Sequence, residues 1–112
     1  NKFGCHLSRA LIRLGCGDLE RVPEDISELE RIAADIRTGE GATGQYLIDK
    51  IKCRLALKQG MYRSARDILD QSSNMPDYVR NSLVLAVASK VVESTTDEAV
   101  ELQSWARQVL QQ

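Results

Sequence analysis

Three cysteines (Cys5, Cys16 and Cys53), one histidine (His6), a run of closely spaced glycines and an acid-rich stretch are the parts of this chain that could do chemistry. A nucleophilic or metal-binding thiol needs a lowered pKa or a second ligand at fixed spacing. The chain meets neither condition. It has no Cys-x-x-Cys pair, and His6 follows Cys5 directly, so on a helix the two side chains point about 100° apart. Cys16 stands between Gly15 and Gly17 at what reads as a helix end, where the negative end of the dipole raises a thiol pKa. Its role is therefore structural, and His6 reads as a surface or packing histidine. No Ser, His and Asp fall in the order of a hydrolytic triad, and the acids between Asp18 and Glu40 outnumber what a matched acid–base pair requires. The expectation is no enzyme, no catalytic residue, no metal and no cofactor.

The glycines need separate treatment. Gly39, Gly41 and Gly44 reproduce the spacing of GxGxxG, but no strand precedes them and Gln45-Tyr46 follows where a phosphate loop has Lys-Ser or Lys-Thr. The cluster reads as a turn between two helices. Charge and size narrow the classes further. A net charge of −1, with 15 Lys plus Arg and 16 Asp plus Glu, gives no general attraction to phosphate backbones or anionic membranes, and 4% aromatics leave little for base stacking. Nucleic acid is excluded as the expected partner. A chain of 112 residues holds one core and has no room for an interdomain cleft. The longest nearly uncharged apolar run, Ser82 to Ser89, is far shorter than the ~20 residues that cross a bilayer, so no membrane insertion is expected. An odd, widely spaced set of cysteines suits a reducing compartment rather than a disulfide scaffold. The chain opens on Asn1 rather than Met, which leaves room for residues ahead of it, targeting sequence included.

The elements that must position these residues are helical throughout, because apolar residues recur at helical spacing between cap and turn residues. The fold class is all-α, with about six helices. The first carries Phe3, Leu7, Ala10, Leu11 and Leu14 and stops at Gly15-Cys16-Gly17. The second begins near Pro23, with Glu24 and Asp25 complementing the dipole, and carries Ile26, Leu29, Ile32, Ala33 and Ile36 before Gly39. The third runs from about Thr43 to Gln59 with Leu47, Ile48, Ile51, Leu55 and Ala56 apolar, and ends at Gly60. Tyr62 to Gln71 makes a short fourth helix with Ala65, Ile68 and Leu69 inward, followed by a turn of cap-forming residues from Ser72 to Pro76. The fifth spans Pro76 or Asp77 to about Glu93, with Tyr78, Val79, Leu83, Val84, Leu85, Val87, Ala88, Val91 and Val92. Its valines also suit a strand, but its length and the lack of a second strand decide for helix. Ser94, Thr95 and Thr96 precede a sixth helix in which Thr95 and Glu98 match a capping box, and its stripe is Ala99, Leu102, Ala106, Val109 and Leu110. Trp105 falls off that stripe and either widens the packed face or lies partly exposed at a protein contact.

Charge is segregated along the chain. Eight acids and three bases lie between Asp18 and Glu40, whereas Lys50 to Arg66 holds six bases and no acid. Either the two helices neutralise one another as solvated faces, or Lys50, Lys52, Arg54 and Lys58 meet an acidic partner.

The joint between the third and fourth helices carries the most specific pattern. Gly60, then Tyr62, Ala65 and Leu69, is the core spacing of a tetratricopeptide repeat. Gly60 allows the tight turn, Tyr62 fills the wedge between antiparallel helices, and Ala65 is small where they approach most closely. In that register Cys53 and Ala56 take packing positions of the first helix, Leu69 takes one of the second, and Pro76 falls within a residue of the proline that closes the repeat. Asp49 departs from the pattern, which has a large apolar residue there. The alternative is any antiparallel helical hairpin in a bundle. The repeat implies stacked antiparallel hairpins in a TPR-like right-handed superhelix, with residues 1–112 forming a single all-helical domain. Its concave face carries Leu47, Lys50, Arg54 and Leu57, two apolar and two basic groups suited to an amphipathic helix with an acidic flank.

A short all-helical chain with one central repeat resembles the tetratricopeptide-like subunit of the needle-protein chaperone of bacterial type III secretion systems. The resemblance runs from Glu28-Leu-Glu-Arg-Ile-Ala33 through Tyr46-Leu-Ile48 to Leu55-Ala-Leu-Lys-Gln-Gly60-Met-Tyr62-Arg-Ser-Ala65, about a third of the chain. It implies a cytoplasmic bacterial chaperone that pairs with a small co-chaperone and holds the needle subunit's C-terminal amphipathic helix in the concave groove. That family carries aromatics after the repeat, where Asn81 to Ala88 has none. A helical-repeat fragment of a larger interaction scaffold is the other expectation.

Overall fold

The computed structural model of the chain describes residues 2–35 and 39–111, and among these the side chains of all but residues 39–43. The described residues form six helices: α1 (Lys2–Cys16), α2 (Val22–Asp35), α3 (Gly39–Lys58), α4 (Tyr62–Gln71), α5 (Asp77–Glu93) and α6 (Asp97–Leu110). A single 3-10 turn, Leu19–Arg21, leads into α2. The chain is all-α, as its periodicity implies. Ile36 of the expected second-helix stripe lies outside the described residues.

Two helix ends are set by glycine in the same way. Gly17 and Gly60 have φ of 79° and 76°, a left-handed conformation that costs a residue with a Cβ but not glycine. At each, the residue after the glycine donates its N–H five residues back and the glycine donates three back: Met61 to Ala56 O at 2.8 Å with Gly60 to Leu57 O at 3.2 Å, and Asp18 to Arg13 O at 2.9 Å with Gly17 to Leu14 O at 3.4 Å. Orphan carbonyls of both helices are thus satisfied as the chain turns back.

The glycine cluster is not a turn. α3 begins at Gly39, so Gly41 and Gly44 lie inside the helix rather than ahead of it. Tertiary packing overrides the low helix propensity of glycine here. A Cβ on Gly44 would stand 3.3 Å from two ring carbons of Phe3, so the missing side chain makes room for α1. A helix at this point also removes the loop geometry that a phosphate site needs.

α4, with only ten residues, is held at both ends by other helices. The Glu98 carboxylate of α6 accepts the Arg63 N–H of its first turn at 2.7 Å, and Arg80 of α5 donates to the carbonyls of Leu69 and Ser72 at its end. An acid at the N-terminus and a base at the C-terminus both complement the dipole. The Thr95–Glu98 capping box is corrected accordingly. Thr96 is the residue in extended conformation before α6, and its hydroxyl accepts from Ala99 N–H at 3.3 Å, which frees Glu98 to reach α4.

The helices pack each against the next, and α1 also meets α3, α3 meets α5, and α4 meets α6. The result is a slab of 41 × 28 × 17 Å with two apolar clusters. Ala10, Leu14, Val22, Ile26, Leu29, Ile48, Ile51 and Leu55 unite α1, α2 and α3. The second cluster joins Cys53 and Ala56 of α3 to Ala65 and Leu69 of α4, Val79, Leu83, Val87, Ala88 and Val91 of α5, and Ala99, Leu102 and Ala106 of α6. α3 therefore buries opposite faces in two cores. Trp105 packs half-buried against the second cluster, with the Arg66 guanidinium 5.1 Å above its ring.

Candidate protein-binding groove

Between its two core-facing sides α3 carries Leu47, Lys50, Arg54, Leu57 and Lys58 on one arc, with Leu57 also packing against the second cluster. All but the exposed Lys58 are half-buried. α5 runs beside this face in the same direction. A shallow depression brings Lys50 against Tyr78, Val79, Ser82 and Leu83 near the start of α5. Towards the helix ends a larger cavity, of about 600 Å³, is lined by Arg54, Leu57, Lys58, Gln59, Gly60, Tyr62 and Lys90. The structure thus brings Arg54 and Leu57 into one cavity and Lys50 into its neighbour, while Leu47 lies further up the same arc and lines neither.

α5 extends the surface beyond what the sequence reading placed there. Tyr78, Leu85 and Val92, expected in the packed face, point outward at 76%, 48% and 37% exposure, seven residues apart, with exposed Ser82 and Ser89 between them. A seven-residue recurrence keeps one stripe of a helix on one side. The valine-rich composition hid this, because apolar residues surround α5 and only packing separates the side facing α4 from the side facing away.

The repeat-type residues occupy the joint beside this groove. Cys53, Ala56, Ala65 and Leu69 are buried in one cluster, and Tyr62 lies half-buried between that cluster and the cavity. The Cys53 thiol donates to the Ala65 carbonyl at 3.7 Å, and burial pushes its pKa up to about 11.

Electrostatics divide the bases of α3. Lys52 reaches Glu30 of α2 at 3.5 Å, the only ion pair between these helices among the described residues. Lys50, Arg54, Lys58 and Lys90 have no carboxylate within 4.0 Å among the described residues. Mutual neutralisation of α2 and α3 accounts for Lys52 and not for Lys50, Arg54 or Lys58.

Sequence reasoning missed the use of Asp25. Instead of a solvated dipole partner it is fully buried, and its two oxygens accept from Arg9 at 2.7 Å and Arg13 at 2.8 Å. Arg13 also donates to the Arg21 carbonyl at 3.2 Å, tying the 3-10 turn to α1. His6 stands 3.0 Å from Arg9 and 3.7 Å from Asp25, half-buried at the edge of this cluster. The available signal was the Arg9, Arg13 spacing of one helical turn along the flank of the apolar stripe.

Among the described residues no group of three His, Cys, Asp or Glu side chains could hold a metal ion, and no helix is long and apolar enough to cross a membrane. Compared with known proteins, the chain matches no family model, no curated protein and no solved structure.

Proposed function

We propose that this chain is a non-enzymatic protein-binding module that covers an amphipathic, aggregation-prone helix in the groove between α3 and α5. The observation that carries the reading is the groove itself: apolar Leu57, Tyr62 and Tyr78 exposed or half-exposed beside Lys50, Arg54, Lys58 and Lys90, cations without a carboxylate within 4.0 Å among the described residues. Unpaired cations flanking an apolar channel complement a helix with one apolar face and an acidic flank. The stacking of neighbouring helices is consistent with hairpins in a TPR-like right-handed superhelix, whose concave side these residues would line. With the resemblance to the needle-protein chaperone, the reading becomes a cytoplasmic bacterial chaperone that holds a type III secretion needle subunit together with a small co-chaperone. Such a polymerising helix has to be covered until export, and a groove does this without chemistry.

A second reading has an observation of its own. Ile12 on α1 and Val100 on α6 are 64% and 59% exposed, and both would be covered if further hairpins stacked on the first and last helices of a longer scaffold. Repeats flanking this segment in its parent chain would favour that reading.

The test is co-expression with candidate small helical partners, followed by mass determination of the purified complex. Leu57→Glu and the Leu47→Glu/Leu57→Glu double variant are expected to lose the partner while keeping the helical circular dichroism of the wild type. A folded double variant that still co-purifies with its partner would overturn the groove reading.

A further inference from the structure

The groove has two chemically different ends. Near the start of α5 it offers Tyr78, Val79 and Leu83 with Lys50 alone for charge. At the other end the cavity gathers Arg54, Lys58 and Lys90 with Tyr62 and Leu57. Lys58 and Lys90 lie in the last turns of α3 and α5, where each also complements its own helix dipole. Arg54 stands a full turn before the end of α3, too far back for that role. It is half-buried, and among the described residues it has neither an ion-pair nor a hydrogen-bond partner.

Three cations make this cavity rich in donors. One guanidinium and two ammonium groups can donate and cannot accept. The two ends of an incoming helix are not equivalent before such a wall. An N-terminus presents unsatisfied N–H donors and the positive end of the dipole, which the cavity would repel. A C-terminus presents unsatisfied carbonyl acceptors, the negative end of the dipole and, where the chain stops, a carboxylate. We propose that the groove binds its helix in one direction only, with the C-terminal end and its free carboxylate in the cavity between Arg54, Lys58 and Lys90. This rests on the groove reading above. The bound helix then runs parallel to α3 and α5, its apolar face along Leu57, Tyr62 and Tyr78. A second copy of this chain is a poor occupant through the outward stripe of Tyr78, Leu85 and Val92. Antiparallel pairing of two α5 helices centred on Leu85 sets Asp77 opposite Glu93 and Lys90 opposite Arg80, like charges at both ends.

The test needs no named partner. A random peptide library displayed with free C-termini is selected on the wild-type chain and counter-selected on Leu57→Glu. Each enriched peptide is then synthesised as the free acid and as the C-terminal amide, and both are titrated by fluorescence anisotropy at low salt. The free acid is expected to bind wild type at least fivefold more tightly than the amide. In a folded Arg54→Ala/Lys90→Ala variant that ratio should fall below twofold. Equal binding of acid and amide to the wild type, with binding still lost in Leu57→Glu, would overturn the directional claim and leave the groove reading standing. Failure to enrich any peptide over Leu57→Glu would overturn both.

Discussion

Replacing Asp25 by alanine strips Arg9 and Arg13 of a shared, fully buried carboxylate and leaves two like charges facing each other beside α2. Breaking a buried pair on one side costs about 3 kcal/mol, and Arg13, the more enclosed of the two cations, cannot readily recover its hydration. Asp25→Ala is expected to lower stability by about that amount in urea titration, and Arg9→Ala by less, because Arg9 is half exposed. Cys53 makes a second prediction at this scale. Its thiol keeps its proton in the fold up to about pH 11, whereas the unfolded chain releases it near pH 9.0. The native state therefore holds a proton that the unfolded state has lost, so stability is full below pH 9.0 and falls as pH rises towards 11, by up to about 1.4 kcal/mol per pH unit. Melting temperatures of wild type and Cys53→Ala measured across that window should diverge in slope; parallel slopes would contradict the burial account. Thiol labelling gives the companion result: exposed Cys5 and Cys16 should react in the native state and Cys53 only after unfolding.

The helix boundaries were largely legible because punctuation and periodicity agreed. α4 and α5 start and stop where glycine, the Ser72 to Pro76 turn and the cap residues place them. The start of α3 was not, since three glycines in six residues carry the local signature of a turn and only the approach of Phe3 accounts for Gly44. Thr95–Glu98 failed for the related reason that a capping box is a local pattern, whereas Glu98 is used 35 residues away on α4. Two glycine substitutions separate these influences. Gly60→Ala should destabilise by about 1–2 kcal/mol, because a Cβ is strained at φ 76° even though nothing stands within 4 Å. Gly15→Ala, inside α1 and equally unobstructed, should raise stability by about 0.5–1 kcal/mol through helix propensity. Thermal melts that move in the same direction for both variants would contradict this distinction.

Across the whole molecule, α3 is the shared wall of two apolar clusters, one reached through Ile48, Ile51 and Leu55 and the other through Cys53 and Ala56. Neither cluster can lose α3 without exposing the other. The chain is therefore expected to unfold in one transition, with far-ultraviolet circular dichroism, which reports all six helices, coincident with the fluorescence of Trp105, which reports the second cluster. Transitions at separate denaturant concentrations would show that the two halves are uncoupled. The same sharing shapes the groove: with both flanks of α3 committed to cores, the residues left over form its open face, and α5 stands alongside because α4 returns the chain over a short path.

The amino-acid sequence by itself determined the all-helical class, the order of the helices and the arc of α3 that carries Leu47, Lys50, Arg54 and Leu57. These follow from local propensity and from the 3.6-residue period, which act within a few residues of one another. Only the tertiary structure decided that Asp25 is buried, that Lys52 pairs with Glu30 while Lys50, Arg54 and Lys58 do not, and that Tyr78, Leu85 and Val92 face outward. Each of those outcomes depends on which helix packs against which, and charge and apolarity along a chain do not say which of two apolar faces will find a neighbour.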